Sequence, residues 1–279
     1  MVEDPRAIRL KQKTAQRYSV LWSQSNPAQA PKDYHYHRVS RLLPQGHLSG
    51  HILDAGCGDG IDTLHMAERS GGWVVSVDLS PAGVALTKRR TQHLPNVRVL
   101  RADIERLPLA GDQFDFVYSY GVLHHLPHPN RGLSELIRVL KPNGLLAIYL
   151  YEDFQGRSPI ERAVLWGVNR ARWVTVKMPP RLLYRLCQMG SPIVYVCLTV
   201  PAKVLARLRL TAISHRIPYH QGAGPFQMAG DLYDRFATPI ERRYNNAQIK
   251  QWLSQAGLQE VTVAPQRGWV AYGRKALPY

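Results

Sequence analysis

Cysteine is scarce. The 279 residues hold three, Cys57, Cys187 and Cys197, scattered along the chain. Their spacing matches no metal-ligand pattern, and so small a number fits a reducing, cytoplasmic setting rather than a disulfide scaffold. The start of the chain lacks the apolar run of a secretory signal. Glu3, Asp4, Arg6, Arg9, Lys11 and Lys13 crowd it instead. Acids are few as well: 20 Asp and Glu stand against 36 Lys and Arg, a net charge of +16. Such a surplus makes anionic partners, nucleic acid or membrane lipid, the ones to weigh, and its distribution decides between them. What is ample is apolar content, at 45%. That is enough for a core, and the length suits one large domain or a domain with an insertion.

The chain is organised around His51-Ile52-Leu53-Asp54-Ala55-Gly56-Cys57-Gly58-Asp59-Gly60. An apolar run ends in an acid and three glycines at alternate positions, and a helical pattern from Ile61 to Arg69 follows. This predicts a buried strand, a tight turn and a helix whose first N–H groups face outward. The spacing is not the dinucleotide pattern G-x-G-x-x-G. A second apolar strand, Trp73 to Val77, ends in Asp78, placed for a ribose diol. A third, Val97 to Leu100, leads into Asp103 and Ile104. A fourth, Phe114 to Tyr118, leads into Ser119, Tyr120 and then His124-His125.

The segments DAGCGDG, VVSVDLS, RADIERLP, FDFVYSYGVLHHLPHP and LKPNGLLAIYLYE, in that order, resemble the motifs of class I S-adenosylmethionine-dependent methyltransferases. The resemblance is to the broad group acting on small molecules and lipids, methyltransferase type 11-like. It covers about Tyr18 to Glu152 and resumes near Tyr244. It implies an α/β fold: a Rossmann-like doubly wound sheet of seven strands with a C-terminal antiparallel pair. It also implies S-adenosylmethionine as cofactor. Asp54, Gly56, Cys57 and Gly58 would line its methionine and ribose. Asp78 would accept the ribose hydroxyls, with Leu79 against the adenine. Asp103 would accept the adenine amino group beside the Ile104 N–H, and Ser119 or Tyr120 would offer a carbonyl to the ammonium. No metal is expected.

Four segments are expected along the chain. Residues 1–50 form an N-terminal helical cap, with Tyr18, Leu21 and Trp22 packing its first helix, a proline-bearing loop from Ser23 to Lys32, and Tyr34-His35-Tyr36-His37 beyond it. Residues 51–153 form the cofactor-binding core. Ser80-Pro81 opens one of its helices, and Lys141-Pro142-Asn143-Gly144 closes another before a fifth strand, Leu145 to Leu150. Residues 154–236 form a basic, apolar helical insertion after that strand. Residues 237–279 complete the core with a helix capped by Asn245 or Asn246, Gly257 at its end, and two strands.

Between Gln155 and Arg216 eleven Lys and Arg accompany one acid, Glu161, while Leu186 to Ala202 carries no formal charge. The preferred reading is a helical hairpin lying in a membrane interface, so that an anionic membrane surface is a partner through residues 155–216. A lid packed on the core, and a membrane span interrupted by Pro192 and Pro201, are the alternatives. The expected location is cytoplasmic, peripheral on the inner face of a membrane.

Methyl transfer needs alignment of nucleophile, carbon and sulfur, exclusion of water, and a proton acceptor when the nucleophile is neutral. His124 is the catalytic candidate, since imidazole titrates near neutrality. His125, Tyr149, Tyr151, Glu152 and Asp153 also end strands on that side. Tyr219-His220 and Tyr233-Asp234-Arg235 are assigned to the lid. The acceptor expected is a small, amphipathic or lipid-like molecule. A soluble secondary metabolite, an RNA, or a non-catalytic scaffold role are the other readings. The chain has no separate RNA-binding module and no Asn-Pro-Pro-Tyr sequence after the fourth strand, which argues against nucleic acid.

Overall fold

A computed structural model describes residues 4–25, 35–214, 217, 224, 225 and 228–277. Glu3, Tyr34, Arg216, Tyr219, His220 and most of the expected Ser23–Lys32 loop lie outside the described residues. The chain forms two compact units, Met1–Arg162 with Pro239–Tyr279, and Ala163–Thr238.

The elements run α1 (Pro5–Trp22), α2 (His35–Ser40), β1 (Ile52–Ala55), α3 (Ile61–Ala67), β2 (Val74–Asp78), α4 (Pro81–Thr91), β3 (Val97–Arg101) and β4 (Phe114–Tyr120). A 3-10 turn, Leu123–His125, leads to α5 (Pro129–Val139) and β5 (Leu140–Leu150). Then come α6 (Pro159–Thr175), α7 (Pro180–Val194), a π turn at Tyr195–Thr199, α8 (Val200–Arg207), α9 (Thr211–Ser214) and α10 (Ala229–Ala237). The chain closes with α11 (Asn246–Gln255), β6 (Leu258–Pro265) and β7 (Trp269–Lys275).

In the first unit the seven strands form one sheet in the order β3-β2-β1-β4-β5-β7-β6. β1 through β5 pair in parallel, while β7 runs antiparallel to both β5 and β6. Strands β1 and β4 are buried along nearly their whole length, as parallel strands covered by helices on both faces must be. Successive residues go to opposite cores. Leu53, Val117, Leu146 and Ile148 join Leu136 of α5 and Ile249 and Leu253 of α11. Ile52, Phe116, Leu145 and Ala147 join Tyr36 and Val39 of α2 and Met66 of α3.

The caps follow the sequence. The Ser80 hydroxyl accepts from the Gly83 N–H at 3.3 Å, with Pro81 in the first turn of α4. Asn245 and Gln248 form a reciprocal capping box on α11. Gly257 then takes φ 91° before β6. Most strand and helix ends of the core fall within two residues of expectation, and the largest difference is at β5. β5 starts at Leu140, directly after α5, rather than at Leu145. Phe114 pairs with Leu140 and Phe116 with Leu145, so Lys141–Gly144 bulges out of the ladder. Asn143 turns it at φ 59°, a conformation asparagine tolerates.

In the second unit α6 is tied to the end of α10. The buried Arg172 donates to the carbonyls of Arg235 at 2.7 Å and Thr238 at 2.8 Å. Thr175 donates to the Phe236 carbonyl at 2.8 Å. α7 packs along α10, with the Tyr184 ring edge-on to Tyr233. Pro192 sits inside α7, and the helix widens to the π turn beyond it before continuing as α8. Among the described residues, the continuous helix Pro180–Arg207 is long and apolar enough to cross a membrane, by length and composition alone.

Candidate active site

The sheet order reverses between β1 and β4, where α/β sheets open a crevice at their carboxyl ends. The glycine turn lies there. Gly56, Gly58 and Gly60 take φ of 95°, 53° and 76°, which side-chain-bearing residues adopt only under strain. There is also no room for substituents. A Cβ on Gly56 would overlap Val122, one on Gly58 would lie 2.8 Å from the Trp22 ring, and one on Gly60 2.7 Å from the Thr87 Cα. The turn is pinned to β2, with the Gly56 and Cys57 N–H groups donating to the Val77 carbonyl at 2.7 and 3.0 Å.

Asp78, at the tip of β2, reaches back to this turn. Its Oδ2 accepts the Gly58 N–H at 2.9 Å, and its Oδ1 accepts the Ser80 N–H at 2.7 Å and hydroxyl at 2.6 Å. Burial pushes the Asp78 carboxyl up from its ordinary range, against the pull of those three donors. Asp54 lies beneath the turn, closed off from water, accepting the Thr63 hydroxyl at 2.5 Å. Burial pushes its pKa up to about 8, the Thr63 bond partly opposing this. Cys57 is buried too, its thiol pushed up by desolvation and by the neighbouring Asp78 and Asp54. It accepts the Thr87 hydroxyl on its sulfur at 3.5 Å, so it packs under the turn.

Beyond β3, Asp103 accepts the Glu105 N–H at 2.9 Å and the Lys11 ammonium at 2.6 Å. Lys11 also lies 2.7 Å from the buried Glu105 carboxylate. Ile104 is buried beside it, and the Leu79 carbonyl, next to Asp78, accepts from Arg101 at 3.1 Å. Helix α1 thus lies along the strand tips. Lys11 meets Asp103, Tyr18 faces the His125 ring at 5.9 Å, and Trp22 covers Gly58 and Gly83. Tyr18 and Trp22 were legible as packing residues; Lys11 and Glu105 were not.

At the end of β4 Ser119 donates to the Ala55 carbonyl at 2.8 Å, tying β4 to the start of the glycine turn. The Tyr120 ring is sandwiched between His35 and Tyr149, each with centroids 4.2 Å away. His124 is wholly buried, its ring 4.0 Å from Tyr151 and 4.2 Å from His125. The His125 Nδ1 lies 2.6 Å from the Ile240 carbonyl, so Nδ1 carries the proton and donates it. Asp62 is a further buried carboxylate the sequence did not single out. It accepts the Tyr118 hydroxyl and the Tyr36 N–H, both at 2.9 Å.

At the end of β5 and just beyond it, the Tyr149 hydroxyl and the two acids have hydrogen-bond or ion-pair partners within the unit. Tyr149 donates to the Arg267 carbonyl at 2.7 Å, Glu152 pairs with Arg157 at 2.8 Å, and Asp153 accepts the Gln155 N–H at 3.0 Å. Tyr233 and Asp234 lie on α10 in the second unit. Among the described residues no group of three His, Cys, Asp or Glu could hold a metal ion.

Residues 53–148 match the family model described as a methyltransferase domain. The phthiotriol/phenolphthiotriol dimycocerosates methyltransferase of Mycobacterium leprae is 36% identical over 148 residues, 50% of this chain and 50% of that protein. Its Mycobacterium ulcerans counterpart is 35% identical over 137 residues, 47% of each. An uncharacterised Synechococcus protein is 25% identical over 232 residues, 78% of this chain and 49% of that one. The chain spans about half the length of the curated relatives it matches. Among solved structures, a chain of the complex between the Haloferax volcanii Trm112 methyltransferase activator and its methyltransferase partner superposes with a TM-score of 0.55. It is 14% identical, covering 93% of this chain and 98% of that one, and shows the shared fold alone. Residues 53–148 of the chain are thus a methyltransferase domain.

Proposed function

We propose that the protein transfers a methyl group from S-adenosylmethionine to a small, lipid-like acceptor. The observation that carries the reaction class is the pairing of Asp78 with the Gly58 N–H across a side-chain-free turn at the sheet's switch point. When bound, the cofactor supplies an electrophilic methyl on a sulfonium, with a neutral thioether as leaving group.

The residues present fit such a group. Carboxylates accept up to about four hydrogen bonds, and Asp78 and Asp103 stand beyond neighbouring strands, where hydroxyl and amino donors are to be held. Asp78 would take one ribose hydroxyl on the open position of its Oδ2, and the second where the Ser80 hydroxyl turns away from Oδ1. Leu79 would lie against the adenine, with Asp103 and the Ile104 N–H at its polar edge. Gly56, Cys57 and Gly58 present backbone to the methionine and ribose, over the buried Asp54. The Ser119 or Tyr120 carbonyl accepts from the ammonium. The Tyr120, Tyr149 and Tyr151 rings wall the acceptor side and exclude water.

For a neutral acceptor we give the proton to His124. Tyr151 and His125 lie against its wholly buried ring, so for an acceptor to reach it a neighbouring side chain would have to move. His124→Gln is expected to lower turnover about a hundredfold or more with unchanged cofactor affinity. Turnover within about tenfold of the parent would assign the ring to packing.

The lipid-like acceptor is supported by the relatives named for phthiotriol and phenolphthiotriol dimycocerosates. The test is transfer of isotopically labelled methyl into an extract of the source organism, divided into organic-soluble, aqueous and RNA pools. Label is expected in the organic pool. Label confined to the aqueous or RNA pool would replace the acceptor class, and no label in any pool would remove the reaction.

A further inference from the structure

The second unit carries an apolar face that its own helices leave uncovered. Along Pro180–Arg207 the residues Leu182, Leu186, Met189, Ile193, Val196 and Val200 recur at alternating steps of four and three, and all are between 39% and 73% exposed. That spacing places them on one side of a helix. At about 1.5 Å per residue, the 28-residue helix is about 42 Å long. Its other side is occupied. Leu183, Cys187 and Ala202 are buried, Ser191 donates to the Pro225 carbonyl at 2.5 Å, and Thr199 approaches the Met228 sulfur at 3.6 Å.

Charge brackets the bare side. Arg181 and Arg185 stand at its start, Lys203, Arg207 and Arg209 follow it, and no residue from Leu186 to Ala202 is formally charged. A second patch of the same chemistry lies on α6. Trp166 and Trp173, 65% and 70% exposed, flank the Arg170 guanidinium at 5.6 and 5.7 Å. Positions 166, 170 and 173 share a side of that helix, away from Arg172, which is bound to the end of α10. Indole and guanidinium together suit the boundary between headgroups and acyl chains.

We propose that this side of Pro180–Arg207 docks in the plane of an anionic lipid bilayer, apolar stripe among the acyl chains and the flanking arginines and lysines at the headgroups. In the second unit Arg170, Lys177, Arg181, Arg185, Arg207 and Arg209 are exposed, and the sequence has no acid from Ala163 to Gly230, which matches an anionic surface. The one-sided stripe matches a helix lying in the interface. A spanning helix would have to strip Ser191 and Thr199 from their partners and leave them in hydrocarbon. The inference goes beyond methyl transfer, and its test does not depend on that reaction.

The test is flotation of the full chain with phosphatidylcholine vesicles, with and without phosphatidylglycerol, at low and high salt. The chain is expected to float with the anionic vesicles at low salt and to be released by high salt or carbonate. Leu186→Glu combined with Ile193→Glu, and separately Arg181→Ala with Arg185→Ala, should each lower partitioning about tenfold or more. All four positions are exposed, and circular dichroism melting should show the parental fold. No flotation at low salt would overturn the proposal, as would stripe variants that keep their fold and float like the parent. Flotation resistant to carbonate would mean a spanning helix instead. A lipid-free dimer dissolved by the stripe substitutions, without vesicle binding, would assign the face to a second copy.

Discussion

Asp54 shows what a buried carboxyl does to the pH dependence of this fold. Its pKa rises to about 8 in the folded chain, against about 3.9 when unfolded. Between about pH 4 and pH 8 the native state therefore holds a proton that the unfolded chain has already released. Stability from this group is present below the unfolded pKa and is lost as pH rises through the folded one. The slope is up to about 1.4 kcal/mol per pH unit. Asp54→Asn should flatten that slope in denaturant titrations between about pH 5 and pH 7. An unchanged slope would mean Asp54 is ionised in the native state. Asp54 and Asp78 were legible because each stands at a strand end within a few residues of the glycines or a helix cap. Lys11 and Glu105 were not, since their ion pair joins positions far apart in sequence, and no local pattern marks a lysine as buried. The Tyr120 sandwich was hidden for the same reason, because His35 and Tyr149 come from distant segments.

Among the elements, α1 carries most of what the strand patterns leave undetermined. Its sequence reads as a polar helix, and the apolar residues it buries are Ala7, Ala15 and Leu21, small except for the last. What fixes it over the strand tips is Trp22 on Gly58 at one end and Lys11 between two carboxylates nearer the other. Removing one partner from a buried ion pair costs about 3–5 kcal/mol, because the other charge stays buried. Lys11→Met should therefore loosen α1. Hydrogen exchange in Pro5–Trp22 should accelerate while β1 and β4 keep their protection. Equal protection of α1 in both proteins would show that Lys11 does not hold it. The core strands were legible because apolar runs ending in Asp or Gly mark buried parallel strands and their turns. The early start of β5 was not, since Pro142, Asn143 and Gly144 read as a break, whereas the sheet absorbs them as a bulge. Leu140 pairs with Phe114 ahead of the bulge, a contact the local sequence does not reveal, so the strand begins before these turn residues and not after them.

At the scale of the whole molecule, the two units divide the chemistry. The first carries the sheet, the glycine turn and the acids at its edge. The second carries the concentrated positive charge and the bare apolar helix side. The sequence disclosed both through composition and order of motifs. Which side of the long helix stays uncovered emerged only from its packing on α10, because Pro192, Pro201 and the π turn blur the helical period.

The most direct test of the cofactor site is calorimetric titration of the full chain with S-adenosylmethionine and with S-adenosylhomocysteine. Both are expected to bind at one site, and Asp78→Ala should weaken each about tenfold or more, since a hydrogen bond to a charged group contributes about 1.5–3 kcal/mol. Failure of the parent chain to bind either compound, or parental affinity in a folded Asp78→Ala variant, would contradict the account.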